Sequence, residues 1–148
     1  MCMTFYIGSN EELPIIHFDK NSPGFHAIEL SEDEKAIYKH ISKTNILYFG
    51  SDQGCGCGFR HALLHNGEWL IVEDEEASLE EDNQKNHQAL HMYIKTYVQK
   101  GTVVEIYGCW DGDLAELSES TEELDTEDLL DKNLYFKERG FYIVKNGA

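Results

Sequence analysis

The sequence is poor in basic residues, in cysteine and in long apolar runs, and each scarcity excludes a class of protein. Twelve Lys and Arg stand against 28 Asp and Glu, a net charge of −16. Nucleic acids and anionic membranes bind positive surfaces, so neither is expected as the main partner. Four cysteines in 148 residues are too few for a disulfide-stabilised scaffold. No apolar run approaches the roughly 18 residues that a transmembrane helix needs.

The composition that remains is typical of a folded protein. Hydrophobic residues make up 41% of the chain and aromatic residues 11%, with only two prolines. This length predicts one domain spanning residues 1–148. The first Lys or Arg is Lys20, so the N-terminal segment lacks the basic start of a secretory signal. We therefore expect a cytoplasmic location, where thiols stay reduced.

The negative charge is concentrated in two segments, residues 73–82 and 111–131. Together they hold 17 of the 28 acids and no Lys or Arg. The other 117 residues carry 11 acids and 12 bases and are almost neutral. Such segments are typical of solvated surfaces that maintain solubility. The functional alternative is a surface that binds a basic protein partner or a cation.

Periodicity and turn signals predict an α/β or α+β domain with a mixed β-sheet and two to three helices. Asn66-Gly67 between two apolar runs predicts a hairpin with a type I′ turn, with a short helix over 59–65 as the alternative. Ser–Glu capping boxes begin three predicted helices: 32–42 (Ser31, Glu34), 79–99 (Ser78, Glu81) and 118–132 (Ser120, Glu123). The remaining predicted elements are strands at 3–7, 25–30, 45–50 and 102–110 and a closing hairpin around Arg139-Gly140.

The most unusual feature is a glycine- and cysteine-rich loop at residues 50–58, GSDQGCGCG, directly after a predicted strand. The ends of strands in α/β sheets commonly carry binding sites, and glycines let a ligand approach the backbone. The loop lacks the Lys of a phosphate-binding P-loop and the spacing of a dinucleotide fingerprint. Its candidate ligand-binding residues are Ser51, Asp52, Gly54, Gly56 and Gly58.

Metal binding is one function that the loop could serve. Cys55 and Cys57 could supply two thiolates to a zinc ion, which prefers four ligands. Cys109 ends the predicted strand 102–110 and would approach the loop if the two strands are parallel. His61, Asp52 or Asp111 could complete the set. Cys2 begins the first strand, and a parallel arrangement would place it at the opposite end of the sheet.

Thiol chemistry is the alternative use of the same loop. Cys55 or Cys57 could act as a nucleophile or a redox thiol, with His61 as the base and Arg60 as a positive neighbour. The structural alternative is that small residues simply pack a close crossing, with cysteine as a buried apolar side chain. No motif in the sequence assigns a substrate or a reaction.

Two stretches resemble a known family. Met1-Cys2 followed by an apolar strand, and Tyr48–Ser51 followed by Gly54–Phe59, are similar to an uncharacterised family of small bacterial cytosolic proteins. No activity is assigned to that family, so the resemblance implies no mechanism. We therefore expect a small binding module whose loop holds a metal or a small ligand. The alternatives are a thiol-dependent enzyme and an acidic protein-interaction domain with an inert loop.

Overall fold

The computed structural model describes residues 2–71 and 77–147, without the side chains of residues 77–79. These ranges contain nine strands, one α-helix and three 3-10 helices. The strands are β1 (Met3–Ser9), β2 (His26–Ile28), β3 (Asn45–Gly50), β4 (His61–His65), β5 (Glu68–Ile71), β6 (Val103–Trp110), β7 (Ser120–Asp125), β8 (Phe136–Lys137) and β9 (Gly140–Lys145). The α-helix is α1 (Ala77–Tyr97), and the 3-10 helices are Glu32–Lys39, Gly56–Gly58 and Thr126–Leu130.

The strands form two mixed sheets, which confirms the predicted α/β or α+β class. The larger sheet has the order β2-β3-β1-β6-β9-β7, and the smaller has the order β5-β4-β8. In the larger sheet only the β7–β9 pair is parallel. Because β1 runs antiparallel to both β3 and β6, its first residues lie at the edge where those two strands end.

Both faces of the large sheet are covered. On one face α1 packs through Leu90, Ile94 and Val98 against the aromatic side chains of the sheet. On the other face the 3-10 helix Glu32–Lys39 and the residues after it contribute Ile37 and Ile41. The predicted Ser31–Glu34 capping box begins that helix as expected. The central strands are therefore buried on both sides, which explains their nearly continuous apolar sequences.

The Asn66-Gly67 hairpin is confirmed. Both residues have positive φ angles, 51° and 79°, as a type I′ turn requires. The predicted capping box of Ser78 with Glu81 lies outside the described residues, because the Ser78 side chain is not described. Among the helices of the described ranges, none has the length and apolar character needed to cross a membrane.

The helix predicted for residues 118–132 is not formed. Residues 120–125 are instead the edge strand β7, and the 3-10 helix Thr126–Leu130 follows, begun by a capping box of Asp125 with Asp128. Along β7, half-buried and exposed residues alternate, which matches the period of a strand. Residues 120–125 pair with β9 along one side, and that tertiary contact outweighs the local helix signals of the segment.

The predicted closing hairpin is also wrong in its pairing. The chain does turn at Arg139, which has a φ of 52°. However, β8 joins β4 in the small sheet, whereas β9 joins β6 and β7 in the large one. The two strands are linked by the Tyr142 hydroxyl, which accepts the Lys137 N–H at 2.7 Å. The turn therefore passes the chain from one sheet to the other.

Candidate metal centre

Three of the four cysteines meet at one edge of the large sheet. The Sγ atoms of Cys2, Cys55 and Cys57 all lie within 4.8 Å of one another. Cys2 immediately precedes β1, and the other two come from the loop that follows β3. The three thiols are half-buried, and none is in a disulfide. Such a group of soft donors could bind a metal ion.

The position of Cys2 corrects the expectation from the sequence. A parallel arrangement would have placed Cys2 at the opposite end of the sheet from the loop. Because β1 is antiparallel to β3, the start of β1 lies beside the end of β3 instead. The Met3 N–H donates to the Cys57 Sγ at 3.4 Å and ties the loop to the strand. Strand direction is set by long-range pairing, which no local signal in the sequence revealed.

Cys109 and His61 do not belong to the three-thiol group. The β1–β6 register places Cys109 opposite Thr4, where it is fully buried with its Sγ 3.5 Å from the Thr4 hydroxyl. Burial raises the pKa of the Cys109 thiol to about 11. His61 is 7% exposed, and its Nδ1 lies 2.8 Å from the Phe59 carbonyl oxygen. Burial lowers the pKa of His61.

The candidate ligand-binding residue Ser51 organises the loop from within. Its Oγ donates to the Cys55 carbonyl at 2.6 Å and accepts the Gly58 N–H at 3.0 Å and the Gln53 N–H at 3.2 Å. The Ser51 N–H also donates to the Cys55 carbonyl, at 2.7 Å. A single buried side chain thus closes the loop into a compact turn around the two cysteines.

Asn86 attaches the same loop to α1. The Asn86 side-chain amide donates to the Asp52 carboxylate at 2.8 Å and to the Gly58 carbonyl at 3.0 Å. The Asp52 N–H donates back to the Asn86 Oδ1 at 3.2 Å. Asp52 and Ser51 therefore bond within the protein, and their predicted part in ligand binding stays a prediction.

Glycine is required at several loop positions for different reasons. A Cβ at Gly56 would lie 2.4 Å from a ring carbon of Phe5 and 2.6 Å from the Met3 carbonyl oxygen. A Cβ at Gly58 would lie 2.4 Å from the Ser51 Oγ. Gly54 has a φ of 82°, which only glycine adopts easily. Close packing of the loop against β1 is what brings Cys55 and Cys57 to Cys2.

The segment after the loop is anchored by a buried histidine. The Arg60 N–H donates to the Nε2 of His87 at 3.0 Å, and the His87 Nδ1 lies 3.1 Å from the Leu129 carbonyl oxygen. This geometry fits a neutral ring that donates from Nδ1. Burial, aided by the Arg60 charge, lowers the pKa of His87 to about 4. The Arg60 side chain pairs with Glu80 at 2.8 Å.

The three thiols interact with one another. Donation of its proton to Cys55, together with burial, raises the pKa of the Cys2 thiol. Burial raises the pKa of Cys55 as well, partly offset by donation from the Cys57 backbone N–H. Both groups are therefore held as thiols until something replaces the proton.

A cavity of about 590 Å³ opens beside the cluster. Cys2 and Cys55 form part of its wall, whereas Cys57 does not. Its other lining residues come from β1, β3, the 3-10 helix Glu32–Lys39 and the turn after β6. They include Tyr6, Tyr48, Asp33, Glu34 and Asp111, none of which the sequence singled out as neighbours of the loop apart from Asp111.

Comparisons with known proteins do not assign a function to this site. No protein-family model, no curated protein and no solved structure matches this chain. Among the described residues, the group of donors suited to a metal is Cys2, Cys55 and Cys57. The sequence missed Cys2 as a partner of the loop. No local signal indicated Cys2, because the antiparallel pairing of β1 with β3 is a contact between segments distant in sequence.

Proposed function

We propose that the protein binds a thiophilic metal ion, with zinc as the first candidate, through the thiolates of Cys2, Cys55 and Cys57. The observation that carries this proposal is the convergence of three sulfur atoms within 4.8 Å from two separate segments of the chain. Three protein ligands leave one position of a tetrahedral zinc ion for water or another ligand. The protein would then be a metal-binding module and not a structural zinc domain with a closed site.

The sulfur positions need little adjustment to accept the ion. Two sulfur ligands about 2.3 Å from a tetrahedral zinc ion lie about 3.8 Å apart. The thiols would approach one another by at most about 1 Å, a change that side-chain rotation supplies. The backbone N–H of Met3 already donates to the Cys57 Sγ. A backbone donor of this kind stabilises the negative charge that a metal-bound sulfur retains.

Metal binding is better supported than nucleophilic catalysis. A reactive thiolate needs a lowered pKa, supplied by a positive neighbour or a base. Here the pKa values of Cys2 and Cys55 are raised, and His61 is outside the group. A divalent ion would replace the thiol protons and remove that penalty, because a coordinating thiol is deprotonated by the metal itself.

Metal content is tested on freshly purified full-length protein. We expect native mass spectrometry and elemental analysis to show one zinc ion per chain. Replacement by Co²⁺ should give the visible d–d bands of a tetrahedral site and thiolate-to-cobalt absorption in the near ultraviolet. Cys2→Ser, Cys55→Ser and Cys57→Ser should each weaken zinc binding by at least about a hundredfold, since changes beyond the ligands themselves already cost 10–100-fold.

Cys109→Ser is the matched control. It makes the same chemical change at the cysteine outside the group and should leave zinc affinity unchanged. Circular dichroism of each variant checks that the fold is retained. Metal-free protein that does not take up zinc or copper(I) would overturn the proposal. So would zinc that is retained with equal affinity in all three Ser variants.

A further inference from the structure

The cavity beside the cluster has a chemical character of its own. Two of the three thiols, Cys2 and Cys55, face it. The residues that line it include three carboxylates, Asp33, Glu34 and Asp111, and no Lys, Arg or His among the part of the chain that the structure describes. Any species that reaches the thiols through this cavity therefore passes charged side chains that are all negative.

The carboxylates come from two separate parts of the fold. Asp33 and Glu34 belong to the 3-10 helix Glu32–Lys39, and Asp111 follows β6. Glu34 is fixed in place, since one of its oxygens accepts the Ser31 N–H and the other accepts the Tyr6 hydroxyl, each at 2.8 Å. The Asp111 N–H donates to the Cys2 carbonyl at 2.8 Å, which places this residue directly beside the first thiol.

Such an arrangement discriminates by charge. A concave surface with charges of one sign concentrates the field within it, and this changes association rates by 10–10³-fold. The three-thiol group itself adds negative charge whenever a sulfur is deprotonated. A cation is attracted first by the carboxylates of the cavity wall and then by the thiolates, whereas an anion is repelled by both.

We infer that this cavity is the access route to the cluster and that it admits cations in preference to anions. The inference deepens the proposed function and rests on it: the ligand delivered would be a metal aqua ion or a cationic complex. An anionic chelate of the same metal would be excluded. The open fourth position of the site would face this cavity, because Cys2 and Cys55 line it and Cys57 lies behind them.

The access route can be tested on the metal-free protein with charged thiol reagents. Two methanethiosulfonate reagents of similar size are used, one carrying a trimethylammonium group and the other a sulfonate. Trypsin cleaves after Lys20, Lys43, Arg60 and Lys100. These cleavages place Cys2, the Cys55–Cys57 pair and Cys109 in three different peptides. The ratio of the two rates at Cys2, divided by the ratio for a free thiol, cancels the thiolate fraction and the intrinsic reactivity.

At low salt we expect the cationic reagent to modify Cys2 about tenfold faster than the anionic one after this normalisation. The preference should fall several-fold in the double variant Asp33→Asn, Asp111→Asn and should shrink as salt is added. Glu34 is kept, because it bonds to Tyr6. The matched control is Glu12→Gln, Glu123→Gln, which removes the same charge from exposed residues near the other end of the strands and should retain the preference.

The same variants separate this inference from the proposed function. A normalised ratio near one, or a ratio that both double variants lower equally, would overturn the access route even if zinc binds. Failure to bind zinc while the cationic preference persists would overturn the proposed function alone. In zinc-loaded protein, removal of the metal by an anionic chelator should accelerate in the Asp33→Asn, Asp111→Asn variant, while removal by a neutral chelator should not.

Discussion

Gly56→Ala tests whether close packing of the loop against β1 creates the cluster. The new methyl group would lie 2.4 Å from the Cδ2 atom of Phe5 and 2.6 Å from the Met3 carbonyl oxygen, where ordinary contacts begin near 3.4 Å. Phe5 is fully buried and packs against the rings of Phe49, Phe59 and Phe136. Neither neighbour can yield by about 1 Å without moving the central strand or the aromatic core.

The expected cost follows from overpacking, which destabilises well-packed cores by about 1–3 kcal/mol. Because one of the obstructing atoms is backbone, we expect about 2–3 kcal/mol. Gly24→Ala is the matched control, since a Cβ there meets nothing within 4 Å. Both substitutions restrict the unfolded chain equally, so the difference between the two variants isolates the steric cost.

Urea unfolding of the metal-free, reduced proteins measures this difference. With a slope of about 2 kcal/mol per molar urea, Gly56→Ala should unfold at about 1 M less urea than Gly24→Ala. Zinc affinity, measured against a competing chelator, should fall at least tenfold in Gly56→Ala, because Cys55 and Cys57 move relative to Cys2. Equal unfolding midpoints and equal affinities in the two variants would refute the reasoning.

Two further predictions concern the groups that hold the loop. The pKa of His87 is about 4 in the folded state and about 6.5 in the unfolded chain. As the pH falls from about 6.5 towards 4, the unfolded chain therefore gains a proton at this residue before the folded protein does. The free energy of unfolding should decline by about 3 kcal/mol over that range. Urea unfolding at several pH values should show a loss that is about 3 kcal/mol smaller in His87→Gln than in the wild type, and identical pH slopes would contradict the prediction. Ser51→Ala leaves the buried Gly58 N–H without its acceptor and should lower the free energy of unfolding by about 1–3 kcal/mol. The control Ser22→Ala, at an exposed residue, should lower it by less than about 0.5 kcal/mol. Equal denaturation midpoints for the two variants would contradict the role of Ser51 in holding the loop.

Much of the fold could be predicted because its local signals agree with its tertiary contacts. Several local patterns favour the same structure that the protein adopts. They are the apolar runs of β1, β3 and β6, the apolar stripe of α1 and the Asn66-Gly67 turn. The acidic segment 118–132 could not be predicted, because its Ser–Glu spacing resembles a helix start. The free edge of β9 offers residues 120–125 a row of backbone hydrogen bonds, and local sequence does not reveal this partner.

The candidate site was predicted in part. The loop and two of its thiols, Cys55 and Cys57, stand out in the sequence because glycine and cysteine are concentrated there. The partners proposed for them, Cys109 and His61, are elsewhere engaged. Cys2 takes their place in the group, since the antiparallel pairing of β1 with β3 brings the start of one strand to the end of the other.

By itself the sequence determined the class of fold, the location of the excess negative charge and the loop in which sulfur is concentrated. Each of these depends on residue type and local spacing. Only the tertiary structure decided that Cys2 joins the loop, that Ser51 and Asn86 close it, and that three carboxylates from two distant segments line the cavity. These depend on strand direction and register, which are set by contacts between residues distant in sequence and leave no periodic mark on the chain.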